Sequence, residues 1–204
     1  MSTSFLIILP FAFASRIPFF WTILSDELKK IGDVSLLNRI NTALGAEYFL
    51  KSIVRNNSSR SFIMLSPIVK YNNSYLLDIS DDNSIFYSGL DFRVRYHVGA
   101  DSWQGFYHFK YITLSDEESK VYLAQVQSFI SKQKNPDGMV AYYTLQSLSK
   151  GYNYVFLTIW KQQSDFANWR KSSDYEQLKY YESEFQVTPV DALYTVNEFI
   201  NIKG

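Results

Sequence analysis

The run Tyr154-Val-Phe-Leu-Thr-Ile-Trp-Lys161 constrains the fold more than any other stretch of the chain. It is rich in β-branched and aromatic residues and ends on a tryptophan. Ser164-Asp-Phe-Ala-Asn-Trp-Arg-Lys-Ser-Ser-Asp-Tyr175 follows at once, with a polar cap opening a short helix that carries Phe166 and Trp169. A strand that hands over to an aromatic helix must bury that helix on a sheet face. The flanking segments extend the pattern. Residues 105–114 read as a strand. Ser115-Asp-Glu-Glu118 reads as a capping box opening a helix to about residue 134, with Tyr122, Val126, Phe129 and Ile130 as its apolar stripe. Asn135-Pro-Asp-Gly138 ends that helix. Residues 139–148 and 154–160 read as strands around a turn at 150–153, then helical segments at 165–185 with Ser172 or Ser173 as a cap, then a strand at 191–201. The order is β-α-β-β-α-β, a ferredoxin-like unit with an antiparallel sheet.

The first half is mostly sheet. Residues 38–44 read as a strand closed by Gly45, and 46–54 as one amphipathic helix. Strands follow at 61–68 and 75–79 around an Asn72-Asn73 hairpin signal, with a short one at 85–87. Residues 91–98 alternate, with Phe92, Val94 and Tyr96 on one face and Arg93, Arg95 and His97 on the other. Helix then strands is the opening of a ferredoxin-like unit, so this half reads as a degenerate copy of the second. The expected fold class is α+β, two ferredoxin-like halves of dimeric α/β-barrel type. The expected division is an apolar extension at 1–36, a degenerate half at 37–101 and a better-formed half at 102–204.

Composition removes several function classes. Twenty basic and twenty acidic residues give a formal net charge of zero, with no Lys/Arg block, so nucleic acid is not an expected partner. Cysteine is absent, which excludes disulfides and thiolate chemistry. Only His97 and His108 carry imidazoles, so no metal centre is expected. Residues 5–24 are almost wholly apolar, but Arg16 near their middle would cost about 2.5–3.5 kcal/mol in a bilayer. A buried or partner-bound extension of a cytoplasmic protein is therefore the expectation, and membrane contact through 5–24 the alternative. There is no phosphate-binding glycine loop, no GxSxG and no HExxH. The Asp81-Asp82 and Asp116-Glu117-Glu118 clusters are turn and helix-cap chemistry.

The segment Asn135-Pro-Asp-Gly-Met139, then Leu157-Thr-Ile-Trp-Lys161, then Phe166-Ala-Asn-Trp169 resembles the antibiotic-biosynthesis-monooxygenase (ABM) superfamily. More narrowly it resembles the haem-degrading (HmoB-type) and target-of-RNAIII-activating-protein branch, whose longer members carry an extra half-domain. The stretch from Asn41-Thr-Ala-Leu-Gly45 to Tyr96-His-Val-Gly99 is similar to that half-domain. The resemblance implies haem, or another flat molecule, as substrate or ligand, and assembly by sheet packing, either as a homodimer or within one chain.

It also implies a site. The family's pocket tryptophan matches Trp169, its strand Asn falls on Lys110 and its haem-ligating His falls on Lys179. A protonated lysine has no lone pair to give to iron, whereas a neutral imidazole has one. His108 and Lys110 lie two apart on one strand and so share a face. The ligand-pocket candidates are therefore Trp169, Lys110, Lys179 and His108, with catalytic residues unassigned. Two cationic heads in an apolar pocket would favour an anionic ligand such as a carboxylate or propionate, and the resemblance implies a small planar one. Two functions follow: an ABM-like monooxygenase needing no separate flavin or metal, or a non-catalytic ligand-binding, stress or signalling protein on the same fold. The aromatics also suit plain core packing, and a lone lysine also suits a head reaching solvent.

Overall fold

In the computed structural model the described residues are 37–70, 73–132, 135–148, 153–184 and 189–201, without the side chains of 129–132, 181 and 184. The expected extension at 1–36 and membrane alternative at 5–24, the Phe129 and Ile130 positions and most of the turn at 150–153 lie outside them. Eight strands and four helices follow in order: β1 (Arg39–Gly45), α1 (Glu47–Asn56), β2 (Phe62–Pro67), β3 (Ser74–Asp78), β4 (Leu90–Gly99), β5 (Phe106–Ile112), α2 (Asp116–Lys132), β6 (Met139–Ser147), β7 (Tyr154–Trp160), α3 (Gln163–Trp169), α4 (Ser173–Glu184) and β8 (Val190–Ile200). Among the described residues no helix is long and apolar enough to cross a membrane.

The strands close into one barrel in the order β1-β3-β2-β8-β5-β7-β6-β4, and every pairing is antiparallel. Written within each half, the order is the fourth, first, third and second strand, once as β4-β1-β3-β2 and once as β8-β5-β7-β6. That is the α+β, ferredoxin-like architecture the sequence implies, and β-α-β-β-α-β over the second half stands as read. The seams between the halves repeat too. β2 pairs with β8 and β4 with β6, and each seam carries a bulge on the fourth strand of its half, at Asn197 and at Arg95. A bulge adds one residue against none opposite, bending the strand as barrel closure requires.

Alternation sorts each strand into an inner and an outer set. On β5, Tyr107 and Phe109 fill the barrel with Tyr75, Tyr143, Leu157 and Tyr194. Ile112 on its outer face packs with Tyr122 and Val126 of α2, and Phe106 with Trp160 and Phe166. Burying one such phenylalanine side chain contributes roughly 1.5–3 kcal/mol. The α2 capping box forms as read: Ser115 N–H donates to Glu118 Oε2 at 2.7 Å, and Glu118 N–H to Ser115 Oγ at 3.3 Å.

Two sequence expectations fail locally. Residues 85–87 form no strand. Ile85 and Phe86 instead pack as irregular chain against Leu50, Phe62 and Leu76, covering the outer face where the second half has α3 and α4. The single alternation expected over 91–98 also breaks. Val94 faces the barrel core, but the bulge at Arg95 turns Tyr96 outward toward Tyr142 and brings His97 onto Tyr143, centroids 4.3 Å apart.

Candidate functional site

The outer face of β5 and β7, roofed by α3 and α4, gathers most of the predicted residues. His108 and Lys110 both project from β5 to this side and are 3% and 6% exposed. Trp169, the last residue of α3, packs on Trp160 at 5.1 Å and edge-on to Tyr175 at 4.8 Å. Between them lies a cavity of about 30 Å³ lined by His108, Lys110, Thr158, Trp169 and Glu182 among others. A water needs roughly 10–15 Å³ on this kind of measure, so the space takes one or two waters. Trp169 Nε1 is buried and has no protein acceptor, so it is a donor available to a guest there.

Lys179 is not part of this cavity. It lies exposed on α4, donating to Glu176 at 2.9 Å, with its ammonium 5.8 Å from the centre of the Tyr175 ring. Lys110 stands on the same ring at 5.1 Å, so the two cations share Tyr175 but not the cavity. Helix phase explains the separation. Tyr175, Leu178 and Glu182 form the sheet-facing row of α4 at three- and four-residue spacing, and Lys179 flanks that row.

Glu182 and Asp191 were not legible as site residues, and both decide the electrostatics. Lys110 Nζ donates to Glu182 Oε1 at 2.5 Å in a pair whose side chains are 7% and 11% exposed. Burial pulls the Lys110 pKa down, but the charge and hydrogen bond of Glu182 outweigh it and the net shift is upward. The ammonium is thus protonated and already matched by an anion. His108 Nε2 lies 2.6 Å from Asp191 Oδ1, and its Nδ1 lies 3.4 Å from Thr158 Oγ1. Trp160 Nε1 donates to the same Thr158 oxygen at 2.8 Å. Burial holds His108 below the usual histidine range, against the opposing pull of Asp191. Burial would raise the Asp191 carboxyl, but its hydrogen bond to His108 leads the effects that lower it overall. An ionised carboxylate only accepts, so His108 carries its proton on Nε2 and turns the Nδ1 lone pair toward Thr158 and the cavity. Register could have revealed Asp191, because β8 pairs it with Lys110, two residues from His108 on the same face.

The site does not fit haem. The cavity is an order of magnitude below the roughly 300–1,000 Å³ of ordinary ligand pockets. The amine at the strand position is protonated, and the lysine at the expected ligand position points to solvent. Among the described residues no group of three His, Asp or Glu side chains could hold a metal ion.

Comparison with known proteins finds likenesses to this closed antiparallel barrel and to the segment that carries its Trp169 cavity. Residues 106–179, from the start of β5 into α4, match the family antibiotic biosynthesis monooxygenase. A haem-degrading monooxygenase of Listeria monocytogenes is 23% identical over 139 residues, which are 67% of this chain and 79% of that protein. A solved major regulator of staphylococcal pathogenesis superposes with a TM-score of 0.68 at 17% identity, over 78% of this chain and 99% of that one. The solved haem-degrading enzyme of Listeria monocytogenes gives 0.58 at 18% identity, over 78% and 99%. Residues 106–179 are thus similar to the ABM family, and the likeness to the haem-degrading proteins holds at the level of fold and low sequence identity.

Proposed function

We propose that the chain is a ligand-binding protein on a monooxygenase-like ABM fold, in which the position of the family's haem pocket is filled rather than open. The observation that carries this reading is the buried Lys110–Glu182 pair. It places a matched salt bridge and a nearly closed hollow where an iron-binding pocket would need an open volume and a neutral nitrogen. Holding the pair apart to admit a planar guest would leave two charges in a low-dielectric layer, which is strongly unfavourable.

One observation supports a second reading, a monooxygenase that works without haem. The Asp191–His108–Thr158 array puts a neutral imidazole on the cavity wall, its Nδ1 lone pair facing the Thr158 hydroxyl at 3.4 Å. Such a group can accept a proton from an acidic C–H or O–H of a small substrate. Dioxygen uptake separates the readings. Without haemin, wild-type protein given a small carbon acid or phenol such as anthrone should consume no more dioxygen than the protein-free control. Uptake that falls by about a hundredfold or more in His108→Gln would contradict the binding reading and establish the enzyme.

A further inference from the structure

A larger, more open hollow lies elsewhere, at one end of the barrel beside the β2–β8 seam. It measures about 510 Å³ and shares no lining residue with the Trp169 cavity. Its volume falls within the roughly 300–1,000 Å³ of small-molecule sites. Two strands, β5 and β8, build it together with Ile68 just after β2, the loop before β5 and the β7–α3 junction. Phe106 at the start of β5, with Val196 and Phe199 of β8, supplies the apolar part. Lys161 and Gln162, between β7 and α3, and Gln163, the first residue of α3, supply polar heads together with Gln104. The β8 bulge at Asn197 falls between Val196 and Phe199, so the strand irregularity is local to this hollow.

Its charge is one-sided. No Asp or Glu is among the lining residues, and Lys161 is the one cation. Lys161 makes no ion pair among the described residues, and the side chains of Gln104 and Gln163 have no hydrogen-bond partner among them. Gly105 also lines the hollow with φ at +136°, and a Cβ there would stand 1.9 Å from the Trp160 carbonyl oxygen. The loop that carries Gln104 to the rim therefore depends on glycine.

We infer that this hollow binds a small amphipathic carboxylate, with its carboxylate on Lys161 and the glutamine amides and its apolar body on Phe106, Val196 and Phe199. An ammonium with no protein counter-ion, flanked by neutral amide donors, matches an anionic oxygen pair. An apolar wall with a few convergent polar groups fixes the orientation of the rest. The proposal rests on the ligand-binding reading above and gives that reading a site outside the filled family pocket.

The test is calorimetric titration of the full chain with two probes, indole-3-acetate and octanoate, and with the neutral indole-3-acetamide. Saturable binding of at least one carboxylate is expected. Lys161→Ala should weaken it by about tenfold, the size of one charge-assisted hydrogen bond, and should leave the weaker acetamide binding unchanged. Lys161 is exposed, so the substitution leaves the core intact. Thr195→Trp, which fills the hollow from an exposed position, should abolish binding of both probes. No carboxylate binding at millimolar concentration, or equal binding by wild type and Lys161→Ala, would overturn the proposal. Neither result bears on the dioxygen assay, so failure of this site and failure of the broader reading are told apart.

Discussion

Lys110 projects from a strand face that helices cover, and an ammonium buried there must be matched by an anion. Glu182 supplies it. Removing one partner alone strands the other charge, so Lys110→Met should cost about 3–5 kcal/mol in urea unfolding. Lys110→Met with Glu182→Leu should recover most of that loss, because two apolar side chains of similar volume can replace a buried pair. Equal losses in the single and double variants would show that packing, not charge, dominates there. The histidines add a pH dependence. Burial lowers the pKa of both His97 and His108 in the folded state, so the unfolded chain binds protons more readily. Their contribution is present above the ordinary value of 6.5 and is lost as pH falls below it. The urea midpoint should therefore drop between pH of about 7.5 and about 5, and His97→Phe, which keeps a ring on Tyr143, should reduce the drop. An unchanged midpoint would show that neither imidazole is held neutral by the fold. Much of this chemistry was visible in the sequence only as a face. Two-residue spacing placed His108 and Lys110 together, but the carboxylates they pair with lie 83 and 72 residues away. Only β8 register and α4 phase bring them in. The same phase moves Lys179 to the surface, which an ungapped match of motifs could not register.

At the scale of elements, punctuation made the second half readable. The Ser115–Glu118 box, Gly138 and the strand ending at Trp160 each mark a boundary by local chemistry that tertiary contacts do not override. Ser115→Ala removes one arm of that box and should lower stability by about 0.5–2 kcal/mol, read as a lower melting temperature. An unchanged melting temperature would place the start of α2 under tertiary control instead. The first half is less legible for physical reasons. Its outer face is covered by loop residues, so the apolar triplet at 85–87 mimics a strand, while Ile85 and Phe86 pack as irregular chain and Tyr87 is exposed. The bulge at Arg95 is equally silent, because apolar residues at 92, 94 and 96 suit both the inner and the outer layer.

At the scale of the whole barrel, residues 37–204 form one compact unit, and from the repeated strand order and the matched bulges we propose that it is built of two half-units dividing near residue 101. Each half leaves two strands, its second and its fourth, to be paired by the other half. Residues 102–204 expressed alone would expose β6 and β8 as open edges, which pair readily with another chain. That fragment should be a dimer by sedimentation, with β6 of one copy on β8 of the other, while the full chain makes both pairings internally. A stable monomeric fragment would refute the half-unit description. The same closure places the Trp169 cavity outside the barrel, under α3 and α4, where the Lys110–Glu182 pair lines it. Titration of the full chain with haemin, followed by absorption, tests that central point most directly. The account predicts no saturable Soret shift and no nitrogen-ligated spectrum. Tight binding with a histidine-like spectrum would mean that the Lys110–Glu182 pair opens and that His97 or His108 reaches iron, and it would contradict the account.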